Sequence, residues 1–196
     1  MMAAVLPTSR NKGAAQSRLH FDKPVLGFAA WSGTGKTSLL VRLLPLLRLQ
    51  GLRVGMIKHA HHAFDIDTPG KDSYELRKAG ANQVLVASDQ RWALMGENET
   101  VADPDLDTLL SRLDSREIDL VLVEGFRHLA FDKIELHRPS LGKPLMFPQD
   151  DSIIAVASDT GIDTGGLPLL NLNHVEEIGG FINRWLSRKL AVGSWQ

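Results

Sequence analysis

The chain predicts a doubly wound α/β fold, a mainly parallel sheet flanked by helices, with a β-hairpin extension. Three observations carry this prediction. Strand-like apolar runs alternate with helical patterns along most of the 196 residues. The run Leu120-Val121-Leu122-Val123 is unbroken, as in a parallel strand buried on both faces. Another run, Val25 to Ala30, leads through Trp31-Ser32-Gly33-Thr34-Gly35-Lys36-Thr37 into a leucine-rich helix, the strand–loop–helix setting of a phosphate-binding loop.

The loop departs from G-x-x-x-x-G-K-[ST] only at its first position, Ala30, which sits at the strand end. Its glycines let successive backbone N–H groups converge on one anion, and the helix N-terminus adds its dipole. Lys36 is the residue expected to reach the β- and γ-phosphates, and the Thr37 hydroxyl the one expected to ligate Mg²⁺. The fold is therefore of the P-loop NTPase type.

The elements follow in order. The first strand spans about 24–30 and the first helix about 36–49, with Pro45 predicting a kink or an early end. A second strand, 52–58, precedes a polar loop from His59 to Gly70. Pro69 opens a helix over about 70–79 that Gly80 ends. Gln83 to Ala87 and Trp92 to Met95 read as a hairpin, and Asp103-Pro104 starts a helix to about Leu113. Strands follow at 118–123, at 133–138 (alternating, hence half-exposed) and at 153–157. A final helix starts near Asn173, with Glu176 completing a capping box. Residues 1–22 read as a mobile tail and 23–196 as a single nucleotide-binding domain.

Further candidates for chemistry lie at strand ends. Glu124 follows the apolar strand, at the edge where α/β sheets bind ligands, as a holder of Mg²⁺-bound water or an orienter of attacking water. An acid that merely ends a strand is the plainer reading. The polar loop carries His59, His61, His62, Asp65 and Asp67 without zinc-site spacing. Asp65 or Asp67 is a candidate Mg²⁺ or phosphate-sensing ligand, against a solvated loop. Asp159 can accept from guanine N1 and N2, or cap a turn. Tyr74, Arg77, Lys78, Arg91, Trp92 and Arg127 read individually as ordinary surface residues.

Composition narrows the classes. A net charge of −1 gives no electrostatic case for a nucleic-acid polymer or an anionic membrane. No run approaches the roughly 18 apolar residues of a membrane span. The absence of cysteine excludes disulfides and thiolate metal sites and fits a cytoplasmic protein.

The segments FAAWSGTGKTSLL, GMIKHAHHAFDIDTPGKDSYELRKAGANQ, VASDQRWALM, DLVLVEGF and IIAVASD resemble the MobB family, the molybdopterin-guanine dinucleotide biosynthesis adaptor proteins. The resemblance runs from about Val25 to the last helix, and the family tolerates alanine at the position of Ala30. It implies a GTP-binding P-loop protein of the bacterial cytoplasm, and the loop chemistry adds Mg²⁺ as the expected companion of GTP. It also implies a homodimer joined partly by a hairpin extension, for which Trp92 to Met95 is the candidate. The implied partners are the molybdenum cofactor guanylyltransferase and other cofactor-biosynthesis enzymes, with at most slow GTP hydrolysis. Carried over, the nucleotide site is Ser32, Gly33, Thr34, Gly35, Lys36, Thr37 and Ser38; the reading of the residues themselves makes Lys36 and Glu124 the catalytic candidates. No catalytic glutamine or in-cis arginine is assigned. The alternative is a small-molecule kinase, which shares the loop but needs an acceptor pocket and usually an Arg-rich lid; no such lid is evident, since Arg127 and Arg138 are isolated in the sequence.

Overall fold

The computed structural model describes residues 19–60, 64–98 and 102–193. They group into two compact units, one formed by the segments up to His59 and from Leu106, the other by Ala60–Asp105. The sequence reading takes the whole stretch from 23 as one domain.

The first unit is built on six strands: β1 (Val25–Ala30), β2 (Val54–Lys58), β5 (Leu120–Glu124), β6 (Lys133–His137), β7 (Ile153–Ser158) and β8 (Leu169–Asn171). Their order is β2-β5-β1-β6-β7-β8 and every pairing is parallel. The chain therefore leaves β1 toward one side of the sheet and crosses to the other after β5. β1 marks the switch point, where a crevice opens at the carboxyl edge.

Helices α1 (Lys36–Leu49) and α4 (Val175–Gly193) cover one face. Their Leu39, Leu40, Leu43, Ile178, Ile182 and Trp185 bury Leu26, Phe28, Leu122 and Ile134. The short α3 (Leu106–Leu110) covers the other, with Leu106 and Leu110 against Ile57, Val121 and Val123. Burial on both sides explains why β5 is apolar at successive positions.

Several expectations are corrected. Leu19 and Phe21 pack on this second cluster, and the His20 amide donates to Asp107 Oδ1 at 2.8 Å. Leu19 to Phe21, read from the sequence as part of a tail, are therefore packed on the first unit; residues 1–18 lie outside the described residues. Helix α1 runs past Pro45 to Leu49. Val41 and Pro45 both face outward, so the carbonyl deprived of its donor is on the wet side. The helix expected from 103 begins only at Leu106. β8 was not read from the sequence, being three residues long. Asn173 does not build the expected box: Asn171 Oδ1 accepts the Asn173 amide at 2.9 Å, while Asn173 Oδ1 lies 3.5 Å from Arg138.

The largest correction concerns β6. Its alternation predicts a solvent-facing side, yet all five residues are buried. Lys133 Nζ donates to the Arg127 and Leu129 carbonyls and pairs with Asp150 at 2.8 Å. Glu135 accepts the Met146 and Phe147 amides at 2.8 and 2.9 Å, and burial pushes its carboxyl above the usual range despite them. The polar stripe is an internally paired one.

At the opposite edge Arg53 clamps the start of β2 to β5. It meets Asp119 through Nε and Nη2 at 3.2 and 2.8 Å, and its amide donates to the same carboxylate. The Arg53 hydrogen bond holds the Asp119 carboxyl down at about 2, against 3.8 unperturbed. A depressed folded-state pKa means the pair stabilises above the unfolded value and loses that effect as pH falls through the folded one. Replacing Asp119 with asparagine is expected to lower the urea midpoint at neutral pH, with the gap to wild type narrowing between pH 4 and pH 2. A gap independent of pH would assign the loss to packing instead.

The second unit contains α2 (Asp72–Lys78) and the antiparallel hairpin of β3 (Gln83–Ala87) and β4 (Trp92–Gly96), as expected. Its Leu85, Trp92 and Leu94 are exposed, and none of its described residues is buried.

Candidate nucleotide site

β1 delivers Trp31 to Gly35 to the carboxyl edge, and the backbone there is committed to a cradle. Gly33 and Gly35 take φ of +82° and +94°, a region that only glycine enters freely. None of the described residues lies within 4 Å of a Cβ built at Gly33, so among them the loop is open on that side. Thr34 pins the turn, its hydroxyl and amide both donating to the Trp31 carbonyl at 2.8 and 3.3 Å. Gly35 is the N-cap of α1 and provides no side chain to the helix end; no acid sits in the first turn. The first intrahelical bond runs from the Leu39 amide to the Gly35 carbonyl. The amides of Lys36, Thr37 and Ser38 are thus free to face an anion. Ser32, Gly33, Thr37 and Ser38 are exposed.

β5 lies beside β1, with Phe28 opposite Glu124. That register brings Glu124 Oε1 to 3.7 Å from Lys36 Nζ. The other oxygen faces Lys58 Nζ, from the end of β2, at 3.8 Å. Both separations exceed a hydrogen bond. The carboxylate is held by charge between two ammonium groups, with its side chain only 12% exposed. Thr37 and Glu124 offer the hard oxygen donors that Mg²⁺ takes, and so fit that ion. After Glu124 the chain turns through Gly125 at φ +105° and Phe126 at φ +51°. Phe126 is the only non-glycine residue at positive φ among those described, and it stacks on His59 at 4.8 Å. Such strain is concentrated where a loop must be aimed.

β6, on the other side of β1, contributes Arg138. Its Nε donates to the Thr34 carbonyl at 2.8 Å and its Nη1 to Asp159 Oδ2 at 2.6 Å. The sequence reading treated Arg138 as isolated; its position directly after a strand, on the same edge as Lys36, was the available signal. Lys58 was missed for the same reason. Arg127 is not isolated either: its guanidinium lies 4.9 Å from the centre of the Trp31 ring. Trp31 Nε1 in turn donates to the Pro144 carbonyl at 2.8 Å.

Asp159, after β7, stands beside a hollow of about 290 Å³ lined by Ser158, Thr160, Gly161 and Asn171. Its Oδ1 is buried and has no hydrogen-bond partner among the described residues. The structure thus brings Lys36, Thr37, Glu124, Arg138 and Asp159 to one sheet edge.

Asp65 and Asp67 belong to the second unit. Arg77 holds both oxygens of Asp65, at 2.9 and 2.7 Å, and this contact keeps its carboxyl below the usual range. Arg77 also binds Glu97 and lies over the Tyr74 ring, so it serves its own unit. Asp67 Oδ1 accepts from the Thr68 amide and the Ser73 hydroxyl. Among the described residues no group of three His, Asp or Glu is arranged to hold a metal. His61 and His62 lie outside the described residues.

A family model for molybdopterin guanine dinucleotide synthesis protein B, MobB, matches residues 25–159. A molybdopterin-guanine dinucleotide biosynthesis adapter protein of Escherichia coli (strain K12) is 51% identical over 167 residues, covering 85% of this chain and 95% of the relative. One from Haemophilus influenzae is 43% identical, covering 83% and 89%. A crystal structure of a molybdopterin-guanine biosynthesis protein B superposes with a TM-score of 0.64 at 31% identity, over 82% of this chain and 99% of the other.

Proposed function

Since this chain belongs to the MobB family, we propose that it is a GTP-binding adaptor for the guanylyltransferase step that turns molybdopterin cofactor into its guanine dinucleotide form. The observation that carries the nucleotide part is the cradle itself: two left-handed glycines, three free helix amides and Lys36 facing Glu124. GTP fits there with its phosphates on the amides of 33–38 and its base toward Asp159. Lys36 then moves from Glu124 to the β- and γ-phosphates, and Lys58 keeps Glu124 paired. Thr37 and Glu124 would hold Mg²⁺, which would supply neutralisation of phosphate charge. Glu124 is placed to orient a water, but the Lys58 ammonium that stays beside it blunts it as a base, so slow turnover is expected.

The relatives are named adapters in this biosynthesis, and that supports docking on a guanylyltransferase in the cytoplasm. The uncovered Leu85, Trp92 and Leu94 support a homodimer through the hairpin. The test is a reconstituted guanylyltransferase reaction at limiting GTP, with and without this protein. Stimulation that Lys36→Ala removes, and that Leu94→Arg lowers while shifting the protein to monomer in sedimentation, is the expected result. No stimulation at any ratio would reject the adaptor role.

A further inference from the structure

We propose that Arg138 is the positioning residue that couples base recognition to the phosphate loop. This rests on the reading of Asp159 as the base acceptor and of residues 33–38 as the triphosphate cradle. The two sites come from different strands, and Arg138 is bonded to both. Its Nε holds the Thr34 carbonyl at 2.8 Å and its Nη1 holds Asp159 Oδ2 at 2.6 Å. The same guanidinium stands 3.7 Å from a Cβ built at Gly35. Thr34 is itself fixed to the Trp31 carbonyl, so Arg138 braces against a rigid point.

The contact also divides the Asp159 carboxylate. Oδ2 is spent on Arg138, while Oδ1 stays buried without a partner. A buried, unpaired carboxylate oxygen is costly unless a donor reaches it. Arg138 fixes the plane of the group, so that Oδ1 is presented to a purine whose edge carries donors. Adenine, which has a ring acceptor where guanine has N1–H, gains nothing there. The planar fork of arginine holds two acceptors on different loops in one fixed geometry, which the compact, rotatable ammonium of a lysine does not.

The experiment is calorimetric titration of the full chain with Mg·GTP and Mg·ATP, for wild type, Arg138→Lys, Arg138→Ala and Asp159→Asn. The expected result is a fall in the GTP-over-ATP preference of at least about tenfold in both Arg138 variants, the scale of one charge-assisted hydrogen bond. ATP binding falls less. A merely structural role would weaken both nucleotides alike and leave the ratio intact. The lysine variant retains the charge and guards against loss of the fold, checked by the thermal midpoint. Selectivity that depends on Asp159 but survives in Arg138→Ala overturns the coupling and leaves the nucleotide reading standing. A wild type without preference, or a preference untouched in Asp159→Asn, removes the reading and the coupling together.

Discussion

Lys36→Ala is expected to abolish measurable nucleotide binding, raising the GTP dissociation constant by at least about 100-fold, as for a lost charged contact to phosphate. Two effects act in the same direction. The ammonium that reaches the phosphates is gone, and Glu124 loses one of the two cations that face it. An under-compensated carboxylate, 12% exposed, then repels the incoming triphosphate. The fold itself is not at stake, because Lys36 begins α1 and the apolar face of that helix starts at Leu39. Calorimetry on the variant checks the affinity, and an unchanged thermal midpoint shows that the loss is local. A dissociation constant within a few-fold of wild type would mean that the loop does not hold a triphosphate.

Asp159→Asn is expected to exchange one base preference for another. Guanine offers N1–H and the N2 amino group, two donors that a carboxylate accepts together. Xanthine replaces the amino group with a carbonyl, which matches an amide that both donates and accepts. The variant should therefore lose about 30-fold or more in GTP affinity, on the scale of about 2 kcal/mol for a charged hydrogen bond, and gain preference for XTP. Competition of GTP, XTP and ATP against a fluorescent guanine nucleotide reads this out. Equal weakening of all three nucleotides would assign Asp159 to bracing Arg138 alone. The two predictions separate the halves of the site, since the first removes the phosphates and the second leaves them in place.

The strand–loop–helix at Val25 to Leu49 was legible because its signal is local: glycines, lysine and hydroxyls at fixed spacing between a strand and a helix. Leu120 to Glu124 was legible because burial on both faces leaves an unbroken apolar run that ends in an acid. The hairpin 83–96 was read nearly to the residue from two short apolar runs and the turn between them. What the sequence hid is non-local. β6 alternates as a surface strand would, and only the partners of Lys133 and Glu135, from residues 127–129 and 146–150, reveal that its polar side is inside. Arg138 and Lys58 were missed because their importance comes from parallel neighbours far away in the chain: Ala30 pairs with Leu136, and Lys58 with Glu124. Register of this kind is set by sheet order, which no short motif encodes. The metal reading of Asp65 met a similar obstacle, since Arg77, twelve residues on, already occupies its carboxylate.

The most direct test is titration of the wild-type protein with GTP and with ATP in the presence of Mg²⁺. A guanine-nucleotide adaptor binds GTP saturably at one site per chain and ATP at least about tenfold more weakly, the discrimination expected from one satisfied or unsatisfied buried carboxylate. Equal binding, or a preference for ATP, would contradict the account and return weight to a kinase built on the same loop.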